Sequence, residues 1–116
     1  MFPPMHVPPA MRLRVPAEIK PLIDEIRVRL NPDSIWLFGS RARGDHRPDS
    51  DWDILVALPD DSEADLLDPL IGWSIQHDVG IPATILSTTS SALAASWDSR
   101  NTIAYDIARN GRRLDV

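Results

Sequence analysis

Two acidic residues, Asp51 and Asp53, stand one residue apart at the start of the apolar run "DWDILVAL". Side chains alternate in direction along a strand, so both carboxylates are expected on the same face. Two like charges held close together are unfavourable unless a cation neutralises them. Because sites that offer only oxygen ligands favour Mg²⁺ or Mn²⁺, the pair predicts a divalent metal site that also contacts nucleotide phosphates.

A Gly-Ser pair, Gly39 and Ser40, precedes Asp51 with ten residues in between. It follows the apolar run "IWLF" and opens the segment "SRAR", which is typical of a strand that turns into a short helix. The first turn of a helix has unpaired N–H groups and a partial positive charge, which favour a phosphate. Arg41 and Arg43 lie beside this turn and are candidate phosphate contacts.

The rest of the chain indicates a mixed α/β (α+β) fold that positions these two features. Apolar residues at helical spacing predict a first helix that begins near Pro16 and continues to Leu30. A helix over residues 62–77 with a Ser cap is expected, although Pro69 and Gly72 argue against its continuity. Further along the chain we expect a third strand in "GIPATILS", helices in "SSALAASW" and "RNTIAYDIAR", and an edge strand in "RRLDV".

Length and charge narrow the classes of function. At 116 residues the chain predicts one domain over residues 16–116, preceded over residues 1–15 by an extended lead-in that has four prolines in its first nine residues. The net charge of −5 argues against broad attachment to nucleic acid or to an anionic membrane. The absence of cysteine excludes thiolate metal sites, and no apolar run reaches the roughly 20 residues of a membrane span. We therefore expect a cytoplasmic protein.

The pattern of a strand, Gly-Ser, ten residues and Asp-x-Asp resembles the signature of the DNA polymerase beta-like nucleotidyltransferase superfamily. "GSRARG" and "PDSDWDILV" are most similar to its minimal members. The resemblance implies a polymerase beta palm-like fold, a small mixed sheet flanked by helices, and an enzyme that transfers a nucleoside monophosphate from an NTP to a hydroxyl. ATP would be the substrate and Mg²⁺ or Mn²⁺ the cofactor. Gly39 and Ser40 would then hold phosphates, and Asp51 and Asp53 would be the catalytic metal ligands.

One position departs from the family pattern. The family usually supplies a third carboxylate from the next strand, but "GIPATIL" places Thr84 there. Threonine is a weak neutral ligand and is not a base near neutral pH. Asp78 is the nearest acid upstream, and six residues of extended chain span about 20 Å, which is too far. Transfer chemistry is therefore either impaired or completed by an acid from elsewhere in the fold.

Three functions remain open at this point. The first is transfer of AMP to a hydroxyl of a partner protein, since minimal nucleotidyltransferases resemble antitoxins encoded beside HEPN-domain toxins. The second is a binding module that lost its chemistry through Thr84 and neutralises the HEPN partner by contact. The third is an enzyme that acts on a small-molecule alcohol. We also expect an interface around Trp97, and self-association when the partner is absent.

Overall fold

The computed structural model describes residues 12–115, and these form a five-stranded mixed sheet flanked by helices. The strand order is β1-β5-β2-β3-β4. The strands are β1 (Arg12–Arg14), β2 (Ser34–Phe38), β3 (Trp52–Leu58), β4 (Ala83–Thr89) and β5 (Arg112–Asp115), and the helices are α1 (Lys20–Leu30), α2 (Gly39–Arg43), α3 (Pro69–Val79), α4 (Ser90–Ala95) and α5 (Ile103–Asn110). Pairs β1–β5 and β3–β4 are parallel, whereas β2 is antiparallel to β3 and β5. The expected fold class is confirmed.

Each face of the sheet packs against a different set of helices, because side chains alternate along the central strands. The larger core cluster joins one face of the sheet to α1 and α3 through Ile26, Ile54 and Ile75. The smaller cluster joins the other face to α4 and α5, and its members include Trp36, Leu55, Leu93 and Ile107. Both faces of β2 and β3 are therefore buried, which explains why "IWLF" and "ILVAL" are almost continuously apolar.

The helix expected over residues 62–77 is wrong in its first half. A 3₁₀ turn occupies Ala64–Leu67, and α3 begins only at Pro69. Asp68 caps α3 by accepting a hydrogen bond from the Leu70 N–H at 2.9 Å, so Ser62 is not the cap. Pro69 occupies the first turn, where the N–H that it lacks is not needed. The proline therefore starts the helix instead of interrupting it.

The edge strand expected in "RRLDV" is also wrong in its position. Strand β5 lies inside the sheet between β1 and β2, and Leu114 is buried in the larger cluster. The edge is β1, which is built from the last residues of the expected lead-in and pairs with β5 in parallel. Residues 1–11 of that lead-in lie outside the described residues.

Within residues 12–115, no helix has both the length and the apolar character needed to cross a membrane.

Candidate active site

The two acids lie where β3 begins: Asp51 is exposed and directly precedes the strand, and Asp53 lies within it on the face of the sheet that carries the smaller cluster. Asp53 pairs with Phe38 of β2 and is followed on the same face by Leu55, whereas Trp52 packs against the larger cluster on the opposite face. Partial burial raises the pKa of the Asp53 carboxyl, the charge of Asp51 raises this pKa further, and Arg43 lowers it. The two carboxylates therefore lie within electrostatic reach of each other, in line with their spacing of one residue.

The Gly-Ser turn directly contacts one of these acids. Gly39 follows β2, adopts φ +71° and begins α2. A Cβ atom at Gly39 would overlap Asp53 Oδ2 and would lie 3.1 Å from Asp53 Cγ. Glycine is required here for two reasons, because an L side chain would be strained at this φ and would displace the carboxylate. Ser40 follows in the first turn of α2 and is partly buried.

The two arginines beside the turn have different surroundings. Arg43 is exposed, forms an ion pair with Asp45 at 3.3 Å, and its positive charge acts on Asp53. Arg41 donates hydrogen bonds to the main-chain carbonyls of Pro48 and Ser50. The phosphate contacts expected for both residues stay predictions; the charge of Arg43 acts on Asp53, whereas Arg41 bonds the residue before Asp51.

Thr84 lies directly beside Asp53, because β4 is parallel to β3 and the two residues are partners in register. Asp78 does not approach this position. Its carboxylate forms an ion pair with Arg29 at 2.6 Å, between α3 and α1 on the opposite face of the sheet. Among residues 12–115, no group of three or more His, Cys, Asp or Glu side chains is arranged to hold a metal ion.

A groove that the sequence did not indicate lies on the β4 side of the acids. It has a volume of about 400 Å³ and is bounded by β3, β4, α4 and the start of α5. Leu55 and Leu86 line it, and they stand two residues after Asp53 and Thr84 on the same face. Ile103, which is 45% exposed, also lines the groove. The alternation of β3 and β4 could have placed the two leucines, but not the helices that close the groove.

The segment "SSALAASW", around whose Trp97 an interface is expected, packs in part against the sheet. Leu93 is 3% exposed, and the ring of Trp97 is partly buried with its centroid 5.4 Å from that of Trp36 in an edge-on arrangement. Trp97 therefore contributes to the smaller cluster, and its role in an interface stays a prediction.

The mixed sheet, the glycine turn and the paired acids are the features that the resemblance to nucleotidyltransferases led us to expect. The model of the nucleotidyltransferase domain family matches residues 19–94, from the turn before α1 into α4. The chain belongs to this family, within the polymerase beta-like superfamily, and the resemblance is confirmed at that level. None of the curated proteins matches the chain.

Proposed function

We propose that this protein transfers AMP from ATP to a hydroxyl group of a partner protein, with Mg²⁺ or Mn²⁺ as cofactor. The observation that carries this proposal is the contact between the Gly39 backbone and the Asp53 carboxylate. Through this contact, the turn suited to phosphates and the acids suited to a cation form one continuous surface. Membership of the nucleotidyltransferase domain family supports nucleotidyl transfer in general.

The donor set fits a divalent cation that is shared with a nucleotide. Mg²⁺ is usually held by one or two carboxylates together with substrate phosphates and water, and Asp51 and Asp53 supply the two carboxylates. The raised pKa of Asp53 reflects negative charge in a partly buried place, and a cation would relieve it. When bound, the cation would neutralise charge on the α-phosphate and on the leaving pyrophosphate.

The chain's own residues then have distinct roles. Gly39 and Ser40 would hold the outer phosphates, and the charge of Arg43 would favour them. The acceptor oxygen forms a bond to the α-phosphorus while the bond from the α-phosphorus to the bridging oxygen breaks. Pyrophosphate leaves with that electron pair. The acceptor proton passes to water, because the hydroxyl of Thr84 is no base near neutral pH, and we expect this to slow the transfer.

We propose that the acceptor approaches from the β4 side. Gly39 lies on the β2 side of Asp53, and the groove with its exposed Ile103 lies on the opposite side. An uncharged, partly apolar groove suits a protein segment better than a polyanion. The resemblance to antitoxins suggests a cytoplasmic HEPN-type toxin as this partner.

The second candidate function is a binding module that neutralises the same partner by contact. Thr84 beside Asp53 favours it, as does the finding that no three acids or other metal-binding side chains cluster within residues 12–115. A small hydroxylated molecule in the groove is the remaining alternative.

The test is to co-purify the protein with the product of its neighbouring gene, add ATP and Mg²⁺, and measure the intact mass of the partner. An increase by one or more AMP units supports the transferase. A tight, unmodified complex that still silences the partner supports the binding module, and a protein that binds no neighbour supports the small-molecule alternative.

A second measurement, the binding of ATP in calorimetry, tests the two acids with a matched control variant. Replacing Asp51 and Asp53 together with Asn should abolish metal-dependent ATP binding in calorimetry. Asp49→Asn removes an exposed acid from the same loop and should leave the binding unchanged. Equal ATP affinity in the double variant and the wild type would refute the assignment of the site.

A further inference from the structure

Arg41 contacts the residues on both sides of Asp51, through main-chain carbonyls before it and through an aromatic ring after it. Its Nε and Nη2 donate to the Ser50 carbonyl at 3.0 and 2.8 Å, and Nη2 also donates to the Pro48 carbonyl at 3.1 Å. The guanidinium lies over the Trp52 ring, 4.1 Å from its centroid. Ser50 immediately precedes Asp51 and Trp52 immediately follows it, so one side chain contacts both neighbours of the acid.

Asp51 needs such support because of its place in the chain. It is exposed and lies just before the first residue of β3, at the end of the loop that follows α2. The sheet holds Trp52, whose N–H donates to the Pro82 carbonyl at 3.2 Å. On the loop side, Ser50 is held by its own N–H bond to the Arg47 carbonyl and by Arg41.

We propose that Arg41 is a positioning residue that fixes Asp51 for metal binding, and that contact with the nucleotide phosphates is not its main role. The inference rests on the proposed function, in which Asp51 is a metal ligand. Arg41 belongs to α2, the helix that begins at Gly39, so the same short helix carries the phosphate turn and orders the metal-binding loop.

The geometry requires an arginine at this position. A guanidinium presents several N–H donors in one plane, so it can bond two carbonyls while its flat face stacks on an aromatic ring. A lysine ammonium has the same charge but cannot make this set of contacts. Charge alone would favour phosphate equally in both residues. Arg41→Lys therefore separates the positioning role from a phosphate contact.

The experiment compares the wild type with Arg41→Lys, Arg41→Gln and Arg47→Gln. Arg47 is an exposed arginine of the same loop, and its main-chain N–H and carbonyl bond Ser50, so its variant removes equal charge and retains those bonds. The first measurement is hydrogen exchange of the Ser50 and Trp52 amides by NMR, without metal or nucleotide. The second measurement is calorimetric affinity for Mn²⁺ with ATP.

We expect both Arg41 variants to exchange these two amides about tenfold faster, because an opening that the arginine bonds oppose becomes more frequent. Core amides of β2 should be unchanged, which distinguishes loop opening from general destabilisation. Affinity for Mn²⁺ with ATP should fall at least about tenfold in both variants, the usual effect of losing a residue that orients a metal ligand. Arg47→Gln should match the wild type in both measurements.

Several results would overturn the inference. Unchanged exchange in Arg41→Gln would show that the loop is ordered without the arginine. Faster exchange with unchanged affinity would show that the order of the loop does not matter for the metal. Wild-type affinity in Arg41→Lys, with a loss only in Arg41→Gln, would assign a phosphate contact instead. If the wild type itself binds no Mn²⁺ with ATP, the proposed function fails and the metal role fails with it, whereas the exchange data still decide whether Arg41 orders the loop.

Discussion

Gly39→Ala is the substitution that most directly tests the contact between the turn and the acids. The added Cβ would overlap Asp53 Oδ2 and would lie 3.1 Å from Asp53 Cγ and 3.3 Å from its Cβ. The carboxylate must therefore rotate or move away from the turn. The substitution changes the position of a proposed metal ligand without changing any charge.

The expected cost has two parts. Alanine at φ +71° costs about 1–2 kcal/mol relative to glycine. If the Asp53 side chain is forced about 30° away from a staggered rotamer, this adds about 0.5–1.5 kcal/mol. Gly44→Ala is the matched control, because Gly44 has φ +84° and nothing lies within 4 Å of its added Cβ. The control should carry only the first cost, about 1–2 kcal/mol.

Urea unfolding measures the cost to stability, and calorimetry measures the effect on the binding of ATP with Mg²⁺. Gly39→Ala should unfold with a free energy lower than that of Gly44→Ala by the cost of moving Asp53, and only Gly39→Ala should lose ATP affinity, by at least about tenfold. Equal stability and equal affinity in the two variants would refute the claim that the Gly39 backbone sets the position of Asp53.

Three further predictions follow from other contacts. The raised pKa of Asp53 means that the folded state binds this proton more tightly than the unfolded chain, so the contribution of Asp53 to the stability of the metal-free protein falls as pH rises above about 4. Urea unfolding should therefore find Asp53→Asn more stable than the wild type at neutral pH, with the difference lost below about pH 4. Gly72→Ala should destabilise the fold by about 1–3 kcal/mol in the same assay, because the added Cβ would lie 2.7 Å from the Ile85 carbonyl oxygen. This cost should exceed the gain from the better helix propensity of alanine, and a net gain in stability would show that α3 can move away from β4. Thr84→Asp should raise incorporation of labelled AMP above wild type and above Thr84→Asn, and no gain over an already active wild type would show that another residue supplies the acid.

The local sequence predicted the elements that carry the site. Strand β2, the Gly-Ser turn, helix α2 and strand β3 were expected at their observed places, because strand period, glycine at positive φ and a short helix after a strand are properties of neighbouring residues. The same alternation predicts a common face for Asp51 and Asp53, and the charge of Asp51 does act on the pKa of Asp53. The start of α3 was missed, because proline disrupts the interior of a helix but is tolerated in its first turn. The Asp68 cap places Pro69 in the first turn.

The placement of Thr84 beside Asp53 depends on the register between β3 and β4, and the distant Asp78 is bound to Arg29 through the packing of α3 on α1. The sequence by itself determined which residue types were available for chemistry at the end of each strand, because those residues are neighbours of the strand in the chain. Tertiary structure alone decided that β5 lies inside the sheet, that Arg41 contacts the loop carbonyls, and that α4 and α5 close a groove beside the acids. These contacts join residues that are distant in the chain, or they depend on the direction of a side chain. A local sequence pattern does not determine them, because they form only when the packed elements come together.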